Sequence, residues 1–379
     1  MNTLSKIKKI ETSLNKFTPG YLFQPENDEK YAIMDRMDAA NTPGVGVAVI
    51  NRNEIDWAKG YGLFKRGTEY EVTPETFFQA CSVSKMVTTP LVLDLITKGI
   101  FDLDADINAY LNSWKVPDSK FTQEQKVTLR GLLTHQSGIG RPDGGFNWEE
   151  GMKPTLVQIL QGEFPALMNP AMVEFTPFSK WQYSNMGFVI IQMLLEDYYN
   201  RPFARIANEL LFEPLGMNFS TFDYPLPPAW SKREAYLHDG EGVPTYPGLI
   251  PTAQAHGGLM TTASDLALFG VALMRAYQGK SSGIITTHLA QTMFEQRVWV
   301  EDTSALGFQF GMGFGCFILG EGMTKAVFHP GGNDPGASSL IVLIPEQEAG
   351  VVIMTNGLQG FPLSIEILSA IGQEYGWQI

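Results

Sequence analysis

The sequence predicts an α/β (α+β) fold in which one antiparallel sheet, flanked by helices, is built from both ends of the chain and carries an inserted all-helical lobe. Three observations carry this. Apolar alternation of period two occurs near the start and returns after about residue 300. Between about residues 100 and 285 most apolar runs follow the helical period instead. And 379 residues exceed what one compact core usually holds. The expected division is a sheet domain from residues 1–80 and 285–379 and a mainly helical domain from 81–284.

Taken in order, residues 1–40 are polar and read as mostly helical. "GVGVAVINRNEIDWAKGYG" is a hairpin, two apolar alternating runs hinged on the polar tetrad Asn51–Glu54. "SKMVTTPLVLDLITKGI" is a helix from Ser84 to Ile100, with Pro90 tolerable only near its first turns. "VTLRGLLTHQSG", closed by Gly138, "NMGFVIIQMLLEDYY" and "SDLALFGVALMRAY" are the clearest helices of the inserted part. Two long loops interrupt them, "GIGRPDGGFNWEEGMKP" and the Pro-rich run from Tyr224 to Pro251, and loops of that length often cover a site. Four short strands follow, "FQFGMGFGCFIL", "KAVFHPGG", "SSLIVLIP" and "AGVVIMTNG", and an amphipathic helix over Phe361–Tyr375 closes the chain.

Composition narrows the function. Hydrophobic residues at 44% and charged residues at 18% belong to a globular chain. A formal charge of −13 would repel nucleic acid and anionic lipid, so neither is an expected partner. No run of 18 apolar residues exists to span a bilayer, and "MNTLSKIKKIETSLNKF" lacks the apolar stretch of a secretory signal. Those features predict a cytoplasmic protein. The two cysteines, Cys81 and Cys316, read as buried core thiols, with no disulfide framework, metal or cofactor implied. The oligomeric state is left open.

The chemistry is carried by "ACSVSKMV". Ser82 and Lys85 stand three apart at the mouth of an apolar helix, where i and i+3 share a face and the dipole favours developing negative charge. S-x-x-K also occurs at Ser5/Lys8 and Ser13/Lys16, but in polar, lysine-rich sequence that reads as a solvated face. "GKSSG" at 279–283 fits the nucleophile-elbow pattern, yet it lies between two helices where the elbow needs a strand before it. Downstream, Tyr183-Ser184-Asn185 opens a second apolar helix, unlike the Y-x-N at Tyr110 and Tyr198. Finally "FHPGG" puts His329, Gly331 and Gly332 between strands, whereas His238 and His256 fall in or at the end of the Pro-rich loop.

With these three motifs in this order, together with "LLTHQSGI", "GGLMTTASDLALF" and "HPGGNDPGASS", the chain resembles the serine β-lactamase and penicillin-binding protein superfamily. It is most similar to the class C β-lactamase-like branch, which holds family VIII carboxylesterases and D-aminopeptidases. The resemblance implies Ser82 as the nucleophile of an acyl-enzyme, with Lys85 or Tyr183 taking its proton. With an ordinary lysine pKa of about 10.4, holding the amine neutral at pH 7 costs about 4–5 kcal/mol, a cost that desolvation reduces. The resemblance further implies that Asn185 orients substrate and Lys85, and that the Ser82 and Gly332 amides form an oxyanion hole, with Gly331 and Gly332 leaving room for the acyl group. The departure is His329-Pro330-Gly331, which stands where many relatives have K-[ST]-G. A neutral imidazole is a poor partner for a substrate carboxylate. The expected function is therefore a cofactor-free serine hydrolase for a small ester, amide or D-peptide, with weak β-lactam turnover. The alternatives are a true β-lactamase or DD-carboxypeptidase, and a non-catalytic binding or assembly protein on the same fold. His135 reads as a structural histidine, and "DLDAD" at 102–106 as a turn between helices.

Overall fold

The computed structural model describes residues 2–17, 24–140, 146–245, 252–303, 306–320, 326–334 and 336–378. Parts of both long loops expected to cover the site, residues 141–145 and 246–251, lie outside the described residues. A first helix, α1 (Thr3–Ile10), leads into strands β1 (Gly44–Asn51) and β2 (Glu54–Gly62). Arg52 and Asn53, both at φ 57°, make the two-residue turn between them. After the helical segment come β3 (Val298–Val300), β4 (Phe310–Met312), β5 (Phe317–Leu319), β6 (Ala326–Asn333), β7 (Ala337–Ile344) and β8 (Ala349–Thr355). Together they form one eight-stranded antiparallel sheet in the order β2-β1-β8-β7-β6-β5-β4-β3, so the two ends of the chain meet where β1 pairs with β8.

Period-two alternation assigns each strand's side chains to two cores. Val45, Val47 and Val49 of β1, Leu340, Val342 and Ile344 of β7, and Val351 and Ile353 of β8 face one core. The C-terminal helix α5 (Gly360–Tyr375) covers it. The alternate residues Ala48, Ile50, Ile341, Leu343, Val352 and Met354 face the other core. There the sheet meets α4 (Ala263–Tyr277), which packs on β1, β2, β7 and β8 although it falls within the segment expected to be helical lobe. Burial on both faces explains why these strands read as continuous apolar runs.

Behind this layer lie α2 (Val83–Thr97) and α3 (Asn185–Tyr199). Every residue of α2 from Val83 to Leu95 is buried, so it is a central helix with no polar face. Pro90 sits in its interior, not near its first turns, and the helix continues through it. Three further readings change. "FQFGMGFGCFIL" is not one strand but the hairpin β4–β5, turning at Gly313–Cys316, where Gly315 has φ 62°. The helix expected over "VTLRGLLTHQSG" is confined to Leu129–Leu133, and His135 beyond it takes φ 57°. Strand β3 was not anticipated, because Val298–Val300 is too short to show alternation.

Candidate active site

The site is assembled at the start of α2. Cys81 adopts φ 48°, an unusual conformation for a residue other than glycine, and this sharp turn swings Ser82 onto the N-cap of the helix. The turn is fastened on several sides. The Ser339 hydroxyl of β7 donates to the Ala80 carbonyl at 2.6 Å, Asn333 of β6 donates to the Gln79 side chain at 2.9 Å, and the Ser84 hydroxyl accepts from the Leu259 amide at 3.1 Å. Phe78–Gln79 pairs as a short strand with Met260–Thr261. The turn that carries Ser82 is thus held by two strands of the large sheet and by the segment entering α4.

Lys85 lies one turn further on, with 0% of its surface exposed. Its Nζ is 3.1 Å from the Ser82 Oγ and donates to the His256 carbonyl at 2.6 Å. It also stands 4.9 Å from the centre of the Tyr183 ring. Tyr183 comes from the entrance to α3, whose N-cap Ser184 accepts from the Gly187 amide at 3.2 Å and donates to the Gly140 carbonyl at 3.1 Å. His135 fixes the same entrance. Its Nδ1 accepts from the Ser184 amide at 3.1 Å, and its ring lies 4.3 Å from that of Tyr183. The buried His135 therefore has the structural role read from the sequence.

Ser82, Tyr183, His329, Gly331 and Gly332 line one open cleft of about 400 Å³, with Lys85 behind Ser82. Strand β6 supplies the far wall. Strand β5 pairs with β6 only through Ala326–Phe328, so the edge of β6 beyond Phe328 is unpaired on the β5 side. The two glycines there differ. A Cβ on Gly331 would meet the Ala80 carbonyl at 2.6 Å and the Cys81 Cβ at 3.0 Å, so this glycine allows the strand to lie against the Ser82 turn. A Cβ on Gly332 would find its nearest atom only at 4.0 Å. Of the two, only Gly331 is crowded by the protein itself. The Ser82 amide donates to no atom among the described residues.

His329 is 1% exposed and packs edge-on against Phe317. Its Nδ1 lies 2.6 Å from the Pro330 carbonyl, which can only accept, so Nδ1 carries the hydrogen and Nε2 is left as an acceptor. That buried Nε2 has no partner among the described residues. Burial, reinforced by the Lys85 charge, pushes the imidazole down to about 3. It is therefore neutral across the physiological range. Asn185 is the first residue of α3, and its Oδ1 is buried without a partner among the described residues. It is not among the residues that line the cleft.

The other candidates take ordinary roles. Burial raises the Cys81 thiol to about 12, leaving it inert beside the serine, and Cys316 is fully buried. Ser281 of "GKSSG" is exposed in an interhelical loop and accepts from the Thr287 amide at 2.9 Å. In "DLDAD", Asp104 holds Arg130 through two bonds and Asp106 caps the turn at Ile107. Sequence reasoning missed the His256 carbonyl, a backbone group without any sequence signal. It also missed Trp181, Leu306, Phe317 and Phe361 in the cleft walls. Trp181 alone left a clue, two residues ahead of Tyr183.

Comparison with known proteins gives a consistent result. Residues 32–371 match the family model described as Beta-lactamase. Penicillin-binding protein 4 of Amycolatopsis lactamdurans is 26% identical over 337 residues, 85% of this chain and 84% of that protein. Esterase EstB of Burkholderia gladioli is 28% identical across 57% of each chain. D-aminopeptidase of Brucella anthropi is 29% identical over 46% of this chain but only 32% of its own length. Among solved structures, the octameric penicillin-binding protein homologue from Pyrococcus abyssi superposes on 91% of this chain and 76% of its own, with a TM-score of 0.73 and 24% identity. That last likeness concerns the fold.

Proposed function

The chain belongs to the beta-lactamase family, and from that premise we propose that it is a serine hydrolase that forms an acyl-enzyme on Ser82 with small ester, amide or D-peptide substrates. One observation carries the reading: a hydroxyl at the wall of an open cleft, 3.1 Å from a sequestered lysine amine. Attack of Ser82 Oγ on the carbonyl carbon transfers the hydroxyl proton to Lys85, whose nitrogen is held in place by the His256 carbonyl. Tyr183, against Lys85, relays the proton to the departing alcohol or amine. The Ser82 and Gly332 amides receive the oxyanion, a donation whose loss typically costs about 3–4 kcal/mol. Water then takes the place of the leaving group and the steps reverse. Asn185, the first residue of α3 and outside the cleft lining, is assigned the positioning of Lys85 and not a contact with substrate.

His329 supports the choice of substrate. A neutral imidazole in the cleft wall brings no positive charge there and so offers a substrate carboxylate nothing. A second reading, that β-lactams are the proper acylating agents, is favoured by the relative named penicillin-binding protein 4, which aligns with most of both chains. Parallel turnover of nitrocefin and p-nitrophenyl acetate separates the two. The ester should be turned over faster, and both activities should vanish in Ser82→Ala. Nitrocefin turnover far above ester turnover selects the second reading.

A further inference from the structure

Gln192 is a buried amide on α3, and its neighbours Ile190, Ile191, Met193 and Leu194 are buried apolar residues. Such a side chain is costly in apolar surroundings unless its polar atoms are matched, and here both are. Its Oε1 accepts from the Gln254 amide at 2.7 Å and from the Ala255 amide at 3.0 Å. Its Nε2 donates to the Thr252 carbonyl at 2.8 Å and to Glu196 of the same helix at 3.0 Å. Residues 252–259 form neither helix nor strand, so their backbone groups depend on partners of this kind. Helix α2 holds the same segment from the other side. Thr88 donates its hydroxyl to the Ala255 carbonyl at 3.2 Å, and the Ser84 hydroxyl accepts from the Leu259 amide. Between these fastenings lies His256, whose carbonyl accepts from Lys85.

We propose that Gln192 is a positioning residue of the acylation step: by pinning residues 252–255 it sets the His256 carbonyl that keeps the Lys85 amine against Ser82. The inference rests on the serine-hydrolase reading above and adds to that reaction a residue outside the cleft lining. A neutral amine has two hydrogens and one lone pair. The His256 carbonyl can only accept, so it takes one hydrogen and fixes the nitrogen 3.1 Å from Ser82 Oγ. As Oγ bonds to the substrate carbon, its proton passes to Nζ. The ammonium so formed gives the same carbonyl a charge-assisted hydrogen bond. The carbonyl thus serves the base before and after proton transfer. Among the described residues the Gln254 and Ala255 amides donate only to Gln192. Without that side chain the segment leading into His256 is free to shift, and the amine with it.

The test is stopped-flow acylation by p-nitrophenyl acetate in wild type, Gln192→Met, Lys85→Ala and the double variant. It reads the saturating rate and the half-saturating ester concentration separately. Methionine keeps the length and the helical fit of the side chain but carries no amide to hold the three backbone groups. Gln192→Met should slow acylation by about tenfold and leave the half-saturating concentration unchanged. In the Lys85→Ala background the same substitution should cost nothing further, because the group it positions is gone. Equal losses in both backgrounds, or a loss carried by ester binding, mean a merely structural role and overturn the inference. Thr88→Val keeps the shape but drops the bond to the Ala255 carbonyl, and should slow acylation by about threefold in the same pattern. If Gln192→Met does not fold, this variant decides, and unchanged acylation overturns the inference. Acylation that needs Ser82 and Lys85 but ignores Gln192 and Thr88 overturns it too, and leaves the serine-hydrolase reading standing. Acylation indifferent to Lys85 overturns both.

Discussion

At the scale of single residues, the proposed catalysis depends on Lys85 acting as a base and His329 as a neutral acceptor. Lys85→Ala should lower kcat for p-nitrophenyl acetate by about a thousandfold. Lys85→Arg should do nearly as badly, because a guanidinium stays protonated, and stopped-flow acylation rates would locate the loss before the acyl-enzyme. If arginine restores activity, the residue supplies charge and not a base. His329→Lys should raise nitrocefin turnover relative to ester turnover by about tenfold, the worth of one charge-assisted hydrogen bond to a carboxylate. That Ser82, Lys85, Tyr183 and His329 would converge was legible because each stands at a motif spacing in a fitting local context; their roles remain part of the proposal. The His256 carbonyl was not, since every residue has one and only the fold brings this one within 2.6 Å of Lys85. The unpartnered Nε2 of His329 was equally invisible, because its tautomer is set by the adjacent Pro330 carbonyl.

At the scale of elements, strand β6 and the turn before α2 must touch, and Gly331 is where they do. Gly331→Ala places a methyl group 2.6 Å from the Ala80 carbonyl and should both lower Tm and cut activity. Gly332→Ala comes no nearer than 4.0 Å to any atom and should keep the wild-type Tm while lowering kcat/KM, if the proposed oxyanion hole uses its amide. Thermal denaturation and ester kinetics on the pair check this, and equal Tm losses would contradict it. Long periodic elements were readable from sequence. Asn185–Tyr199 follows the expected helix residue for residue, and β1–β2 and α5 lie where alternation and amphipathicity put them. The failures share a cause. The β4–β5 hairpin turns within a run of glycines and aromatics that reads as continuous, and β3 exists only because β4 pairs with it. The helix after Val127 stops early because Gln136 and Phe178 tie the chain into a loop instead.

At the scale of the whole molecule, we propose the two-lobe arrangement, with sheet strands from residues 44–62 and 298–355 on one side, α2 and α3 on the other, and α4 resting on the sheet. No helix among the described residues is long and apolar enough to cross a membrane. Burying neutral histidines between these layers has a consequence in acid. The His329 pKa is about 3 when folded, below its ordinary 6.5, so the unfolded chain binds the proton first as pH falls. This contribution to stability is complete above about pH 6.5 and is lost progressively toward pH 3. Burial lowers His238 and His256 in the same sense, while the raised carboxyls of Glu196, Glu234 and Asp265 act in the opposite sense. Comparing wild type with His329→Gln isolates the one group: between pH 7 and 4.5 the variant should lose less Tm than the wild type, and parallel losses would contradict the assignment. The central claim, that this cleft holds one activated serine, is tested most directly by labelling the protein with a fluorophosphonate and mapping the adduct by peptide mass spectrometry. A single adduct on Ser82 that disappears in Ser82→Ala is the predicted result. Undiminished labelling of that variant, or an adduct on any other residue of the wild type, would contradict it.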